Sequence, residues 1–272
     1  MKSRRSFIRK MATAISLSTL AHTSWPKEAT KVRADPLPNL KGRKILFVYG
    51  GWEGHEPGKF KDYLVPWMED SEAMVEVYET VDCYANEQLM DSIDLVVQIH
   101  TMSSIKKEEQ KGLLTAVKKG CGIAGWHGGM CDASRNNPPY QYMTGGQWVA
   151  HPGNVIDYNV RVTNPEDPIT QGIDEFKMTS EQYYMHVDPN VKVLATTRFD
   201  GSHHEWIEGC TIPVVWKKNY GKGRIFYTSL GHSLSHITDQ PAAVKILKRG
   251  IRWASASKYE PIEKCVEPMY PY

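Results

Sequence analysis

Apolar runs alternate with amphipathic segments over the first half of the chain. Four segments have the pattern of strands: 44–49, 74–78, 93–99 and 122–126. Helices are predicted over 57–68 and 105–119, and Gly120 is a typical stop for the second. Strands and helices that alternate at this spacing form βαβ units, so the pattern predicts an α/β fold with a doubly wound, mainly parallel sheet.

The second half of the chain is less regular. Its predicted strands are 155–163, 191–197, 212–216 and 224–228. A turn is predicted at 217–223, and the Asn-, Pro- and Gly-containing segment 134–149 is predicted to be a long loop with at most one helical turn. The last helix is predicted to begin near Asp239 as N-cap, with Pro241 in its first turn. Its predicted buried stripe consists of Val244, Leu247 and Ile251.

The N-terminus has the pattern of a targeting signal, which we expect to lie outside the fold. Paired arginines, Arg4 and Arg5, precede a hydrophobic pair and a further base, which is the twin-arginine pattern. The weakly apolar stretch 11–20 is too short to span a bilayer. We therefore expect a signal peptide and linker at 1–34, one domain at 35–255, a surface tail at 256–272, and a periplasmic or secreted location.

Composition and charge narrow the function classes. With 41% hydrophobic and 24% charged residues the chain has globular usage, which argues against disorder. The 33 basic and 31 acidic residues give a formal charge of +2, so nothing in the charge balance favours a nucleic-acid partner. Five cysteines without a C-x-x-C pair exclude a disulfide scaffold and leave a single disulfide open.

Candidate chemistry lies where polar residues follow predicted strands, because ligands of open parallel sheets bind outside the carboxyl ends of the strands. The candidate catalytic residues are His127, His151, Glu181 and His232. Candidate substrate-binding residues are Trp126, Trp148, Tyr183, Tyr184, His55 and His100. Histidine and glutamate side chains serve in acid/base catalysis and also bind divalent metals, so the four candidate catalytic residues are also the candidate metal ligands. Whether a metal is bound is left open.

Four ordered motifs carry a family resemblance. They are Gly125-Trp126-His127, the segment from Gly145 to Pro152, Glu181-Gln182-Tyr183-Tyr184, and the segment from Phe226 to His232. Together they resemble the ThuA-like family, named for trehalose utilisation, of the class I glutamine amidotransferase-like superfamily. The resemblance covers about residues 43–255 and implies a single domain with a flavodoxin-like variant fold. One departure is the turn at 51–55, where the family pattern has a more compact histidine-bearing turn.

The resemblance also bears on glutamine hydrolysis. In amidotransferases a nucleophilic cysteine lies on the turn after a central strand, and His127 takes that place here. Imidazole cannot form the thioester intermediate, and Cys131 comes four residues too late to occupy the same turn. Glutaminase activity is therefore not expected.

The resemblance implies a role in the catabolism of trehalose and other glycosides, including 3-keto-glycosides. One hypothesis is a hydrolase, lyase or isomerase acting on a sugar through acid/base or metal-assisted chemistry. A second is a non-catalytic carbohydrate-binding module, and a third is a partner subunit of a sugar oxidoreductase or hydrolase. Strongly perturbed titratable groups in the pocket favour the enzyme. Each of the three hypotheses is compatible with a homo-oligomer.

Overall fold

The computed structural model describes residues 36–261, so the predicted signal peptide and most of the predicted tail lie outside it. Its strands are β1 (Lys44–Gly51), β2 (Met74–Tyr78), β3 (Leu95–Thr101), β4 (Gly122–Trp126), β5 (Gly146–Ala150), β6 (Val155–Val162), β7 (Phe176–Glu181), β8 (Tyr184–Val187), β9 (Lys192–Arg198), β10 (Thr211–Tyr220) and β11 (Gly223–Thr228). Its α-helices are α1 (Pro57–Asp70), α2 (Glu87–Ser92), α3 (Lys107–Lys119), α4 (Gly128–Cys131), α5 (Pro138–Thr144), α6 (Leu234–Thr238) and α7 (Pro241–Ala254). Short 3-10 helices cover Glu53–His55, Val81–Ala85 and Glu205–Ile207. In the described part of the chain, no helix is long and apolar enough to cross a membrane.

A nine-stranded sheet forms the centre of the molecule, in the order β2-β1-β3-β4-β11-β10-β9-β6-β7. The first five strands are parallel neighbours, and their order is that of flavodoxin-like folds. The predicted doubly wound α/β fold is confirmed. Beyond β11 the sheet continues through antiparallel pairs, and β5 and β8 form a separate two-stranded sheet.

The core has two halves, one on each face of the sheet. Ile45 and Phe47 of β1 pack on the side of α1 and α7, while Leu46 and Val48 pack on the side of α3. Successive side chains of a strand point to opposite faces, so a strand covered by helices on both sides needs apolar residues throughout. This requirement explains the continuous apolar run that predicted β1.

The predicted loop at 134–149 is wrong, because it contains α5 and most of β5. Asn137 caps α5 by accepting a hydrogen bond from the backbone N–H of Tyr140, and Pro138 occupies the first turn. Gly145 ends the helix with a positive φ of 82°. The start and stop signals were therefore present, but the short length of α5 hid its periodicity.

Two predictions near the C-terminus are also corrected. The N-cap of α7 is Gln240 rather than Asp239, because α6 precedes it and Asp239 ends that helix. The tail does not lie wholly on the surface, since Ala256 and Ser257 are buried. The Ser257 hydroxyl oxygen accepts a hydrogen bond from the backbone N–H of Arg224 at 2.8 Å, which ties the start of the tail to β11.

Candidate functional site

Four titratable side chains meet at the carboxyl edge of the sheet. They are His55, His127, Glu181 and His232, and one ligand atom from each lies within 4.8 Å of the others. His55 follows β1, His127 follows β4 and His232 follows β11. Two antiparallel steps separate β11 from β9, and two more separate β9 from β7, so β7 runs in the same direction as β11 and ends at Glu181 on the same edge.

The sheet curls so that its last strand comes back to the site. The backbone N–H of His232 donates to the Ser180 hydroxyl oxygen at 3.1 Å, although three strands separate β7 from β11 in the sheet. A second tie joins the turn after β1 to α6, because a Glu56 carboxylate oxygen accepts from the backbone N–H of Leu234 at 3.0 Å. These contacts hold the segments that carry the four side chains against one another.

The turn after β4 places His127 in a strained backbone conformation. Its φ is 48° and its ψ is −141°, a combination uncommon outside glycine and concentrated at functional sites. Its backbone is held on both sides: the N–H donates to the Thr228 carbonyl at 2.7 Å, and its carbonyl accepts from the Tyr227 hydroxyl at 2.9 Å. Gly128 must be small, because a Cβ there would lie 2.3 Å from the His55 ring.

Hydrogen bonding determines the tautomer of His127. Its Nδ1 lies 2.8 Å from the backbone carbonyl oxygen of Ser229, and a carbonyl can only accept, so Nδ1 carries the proton. Its Nε2 lies 3.1 Å from Oε2 of Glu181. Burial lowers the pKa of His127, and the Glu181 carboxylate offsets this only in part. Nε2 and the carboxylate oxygen are therefore close enough to share either a proton or a cation.

Glu181 lies at the centre of the arrangement. Its Oε2 is 3.2 Å from Nδ1 of His232, in addition to the contact with His127. Burial alone would raise the pKa of Glu181, but the rings of His127 and His232 outweigh it and hold the pKa well below its ordinary value. The carboxylate is accordingly ionised although its side chain is only 9% exposed.

His55 completes the cluster from the opposite side. It is buried, and its Nδ1 forms a 2.7 Å hydrogen bond with the Thr101 hydroxyl. Burial, followed by the neighbouring rings of His127 and His232, lowers the pKa of His55 to about 2, so this ring is uncharged. Buried neutral imidazoles around one carboxylate can hold a cation or pass a proton.

His151 lies at the rim rather than in the cluster. It follows β5, its side chain is 30% exposed, and its Nε2 is 3.8 Å from Oε1 of Glu181, the oxygen that His127 and His232 leave free. Trp148 from the same strand contacts both His151, with ring centroids 5.6 Å apart, and the Arg135 guanidinium, which lies 4.4 Å from the indole centroid. The four predicted catalytic residues are thus brought together: His127, Glu181 and His232 lie in the cluster, and His151 lies beside it.

The structure places the predicted substrate-binding residues less uniformly. Trp126 is fully buried against Phe60, so the prediction that it stacks on a substrate is wrong. Tyr183 is also buried, with its ring stacked on His127 at 4.0 Å, and it forms a wall of the site. Tyr184 contacts His186 and Phe199 outside the cluster. His100 is buried beside Gly50 and does not belong to the cluster.

Sequence reasoning missed Trp52. Its indole is 44% exposed, 4.8 Å from the His55 ring and 6.0 Å from the His232 ring, which places it at the mouth of the site. Gly54 allows this position, because a Cβ there would lie 2.3 Å from the indole. The signal was the position of Trp52 directly after a predicted strand.

His127 lies on the turn between β4 and α4, where the family resemblance expects the nucleophilic cysteine of amidotransferases. Cys131 lies in α4, where burial raises its pKa well above the ordinary value of a thiol. The thiol form is a poor nucleophile.

A separate groove of about 660 Å³ over β6 and β9 contains none of the four clustered side chains, so the size of a cavity alone does not identify the functional site.

Comparison with known proteins places the chain by sequence and by fold. The family model for trehalose utilisation, ThuA, matches residues 44–254. The crystal structure of a ThuA-like protein from Bacteroides uniformis has a TM-score of 0.67 at 16% identity, covering 79% of this chain and 92% of that one. A ThuA-like protein from Parabacteroides merdae has a TM-score of 0.64 at 19% identity, covering 79% and 90%. No curated protein matches the sequence. At these identities the structural likenesses show the fold alone.

Proposed function

Because the chain belongs to the ThuA family, whose name denotes trehalose utilisation, we propose that it is an exported enzyme of carbohydrate catabolism. It acts on a glycoside, with 3-keto-glycosides as the preferred class, through acid/base or metal-assisted chemistry. Family membership supports the carbohydrate-related role, and the site supports the choice of an enzyme.

One observation carries the choice of an enzyme: the buried Glu181 carboxylate lies 3.1 Å from Nε2 of the buried His127, and burial and the mutual contact shift the pKa of both groups. Titratable groups in contact with strongly perturbed pKa values reduce folding stability, and they are concentrated at catalytic sites. A binding module needs exposed aromatic rings but has no need of such a pair. The carbohydrate-binding module and the partner subunit are therefore less well supported.

The chemistry of a keto sugar suits this site. A ketone at C3 acidifies the C–H bonds at the neighbouring carbons, so a base can remove a proton and start an elimination or isomerisation. His151 is the most exposed histidine of the site, and it lies next to the free oxygen of Glu181. A cation held by the buried cluster behind it would supply positive charge for the developing enolate oxygen.

The test is a substrate screen with the purified full-length protein. Trehalose, other unoxidised disaccharides and their 3-keto forms are incubated with the protein, and products are followed by nuclear magnetic resonance. We expect turnover of the 3-keto forms. Binding of sugar without turnover would identify a carbohydrate-binding module, and neither binding nor turnover would favour a partner subunit.

Trp52 is expected to contribute to sugar binding. A sugar face stacks on an exposed indole, and such contacts are worth about 0.5–1.5 kcal/mol, so Trp52→Ala should weaken binding by up to roughly tenfold. Sugar titration followed by calorimetry measures the effect. Trp206→Ala is the matched control, since Trp206 is 82% exposed and belongs to the 3-10 helix Glu205–Ile207. Equal losses in both variants would exclude a specific role for Trp52.

Export is expected to depend on the paired arginines, which lie outside the described residues. Replacing Arg4 and Arg5 with lysine keeps the charge but removes the twin-arginine signal, so precursor should accumulate in the cytoplasm. Fractionation followed by immunoblotting measures this. The matched control replaces Lys2 and Lys10 with arginine. Normal export of the first variant would contradict the assignment of the signal.

A further inference from the structure

We propose that His55, His127, Glu181 and His232 bind one divalent transition-metal ion of the zinc class, and that His151 is not a ligand. The binding of the ion is inferred from these four side chains alone. Its part in catalysis rests on the proposed function. The ligand set differs from the one that the sequence predicts, which has His151 in place of His55.

The spacing of the four ligand atoms fits a single ion. Zinc binds histidine nitrogen and carboxylate oxygen at about 2.0–2.2 Å, so ligand atoms in a tetrahedral site lie about 3.4 Å apart. Oε2 of Glu181 lies 3.1 Å from Nε2 of His127 and 3.2 Å from Nδ1 of His232. All four ligand atoms fall within 4.8 Å of one another, so small side-chain rotations bring them to bonding distance.

The contact between His127 and Glu181 needs a cation between the two atoms. Nδ1 of His127 donates to the Ser229 carbonyl, so Nε2 is the ring nitrogen available to bind an ion. Nε2 lies 3.1 Å from a carboxylate oxygen, and two acceptor atoms at that distance need either a shared proton or a metal ion between them. A metal ion in that place bonds to both atoms. A ring N–H donated to a backbone carbonyl is also the usual outer support of a metal-bound histidine.

His55 and His232 also direct ring nitrogens toward the proposed ion. Thr101 holds one ring nitrogen of His55 at 2.7 Å and so fixes the plane of that buried ring. Nδ1 of His232 is buried and makes no hydrogen bond of good geometry, although it points at Glu181. An unpartnered buried nitrogen aimed at a carboxylate is explained if both bind the same ion.

The donor atoms indicate the class of metal. Three imidazoles and one carboxylate suit zinc, iron, nickel or copper, whereas magnesium and calcium prefer an all-oxygen environment. His151 stays outside because its Nε2 approaches the opposite carboxylate oxygen, Oε1, at 3.8 Å and its side chain is open to solvent. It remains free to exchange protons with a substrate.

The experiment is a zinc titration of the full-length protein after treatment with a chelator. We expect one tightly bound Zn²⁺ per chain, a melting temperature that rises with Zn²⁺, and no comparable rise with Mg²⁺. Replacing His55 or His232 with alanine should weaken Zn²⁺ binding by at least about 100-fold, since changes in outer-shell supports alone cost 10–100-fold. His151→Ala and the exposed-site control His204→Ala should bind Zn²⁺ as the unaltered protein does.

These variants separate the ligand sets. Loss of Zn²⁺ binding in His151→Ala with retention in His55→Ala would overturn the proposal in favour of the sequence-predicted ligands. Failure of the unaltered protein to bind Zn²⁺, Fe²⁺, Ni²⁺ or Cu²⁺ would overturn it altogether and leave a proton shared by His127 and Glu181. His232 is partly exposed, so His232→Ala keeps the test decisive if His55→Ala does not fold. Because binding is measured without substrate, failure of the sugar screen leaves these results intact.

Discussion

Replacing Glu181 with glutamine is expected to reduce turnover of the preferred sugar by roughly 10²–10⁴-fold, the usual effect of removing a group that takes part in proton transfer. Glutamine has nearly the same shape, so packing against His127 and His232 is kept. Its amide N–H can donate to Nε2 of His127, so a hydrogen bond at this contact is kept. The melting temperature in the absence of metal should therefore change little.

Turnover and thermal unfolding are measured on the same preparation. Glu166→Gln is the control, because Glu166 is exposed and its replacement removes the same charge at a position away from the site. Full activity of Glu181→Gln would remove the carboxylate from the mechanism. A loss of activity matched by a sharply lower melting temperature would instead identify Glu181 as a structural residue.

Replacing Asp167 with asparagine is expected to destabilise the protein by about 3–5 kcal/mol, because it leaves a buried lysine without its counter-ion. Asp167 and Lys217 are both buried, with Nζ and Oδ2 2.5 Å apart. Burial lowers the pKa of Lys217, and the attraction of Asp167 opposes that effect. Lys192 contacts the same carboxylate at 3.7 Å but is partly exposed, so its charge can turn to solvent.

Urea unfolding measures the change through the midpoint at constant slope. Asp174→Asn, an exposed aspartate on the same loop, should change stability by less than about 0.5 kcal/mol. The double variant Asp167→Asn, Lys217→Met should be more stable than Asp167→Asn alone, because the unpaired cation is gone. A cost below about 1 kcal/mol for Asp167→Asn would show that Lys217 finds water or becomes neutral at little cost.

The sequence predicted the parallel half of the fold because apolar runs such as 44–49 and 93–99 are typical of strands that are buried on both faces. It failed at 134–149, where α5 has only two turns and too few residues to show a helical period. It also missed β7 and β8, which are short and partly exposed. Such strands form because they pack and pair with neighbouring strands, and their own residue pattern does not indicate them.

The site was predictable to the extent that it follows from strand ends. His127 and His232 follow parallel strands, and that position indicates the binding edge directly. Whether His55 or His151 enters the cluster depends on the curl of the sheet and on the turn at Gly54, which no local pattern reports. Trp126 shows the reverse error: its position beside His127 suggested a ligand contact, yet alternation along β4 turns its side chain into the core.

The four clustered side chains come from turns that follow β1, β4 and β11 and from the end of β7, so they span most of the described chain in sequence. A nascent chain cannot assemble them until its last parallel strand has docked, and contacts of such long range form late in folding. With the proposed ligands, metal uptake would report completed folding. A fragment that stops before His232 should take up no ion under conditions that load the full chain. An export route that accepts folded proteins would allow the ion to be acquired in the cytoplasm, where the cell controls which metal is offered.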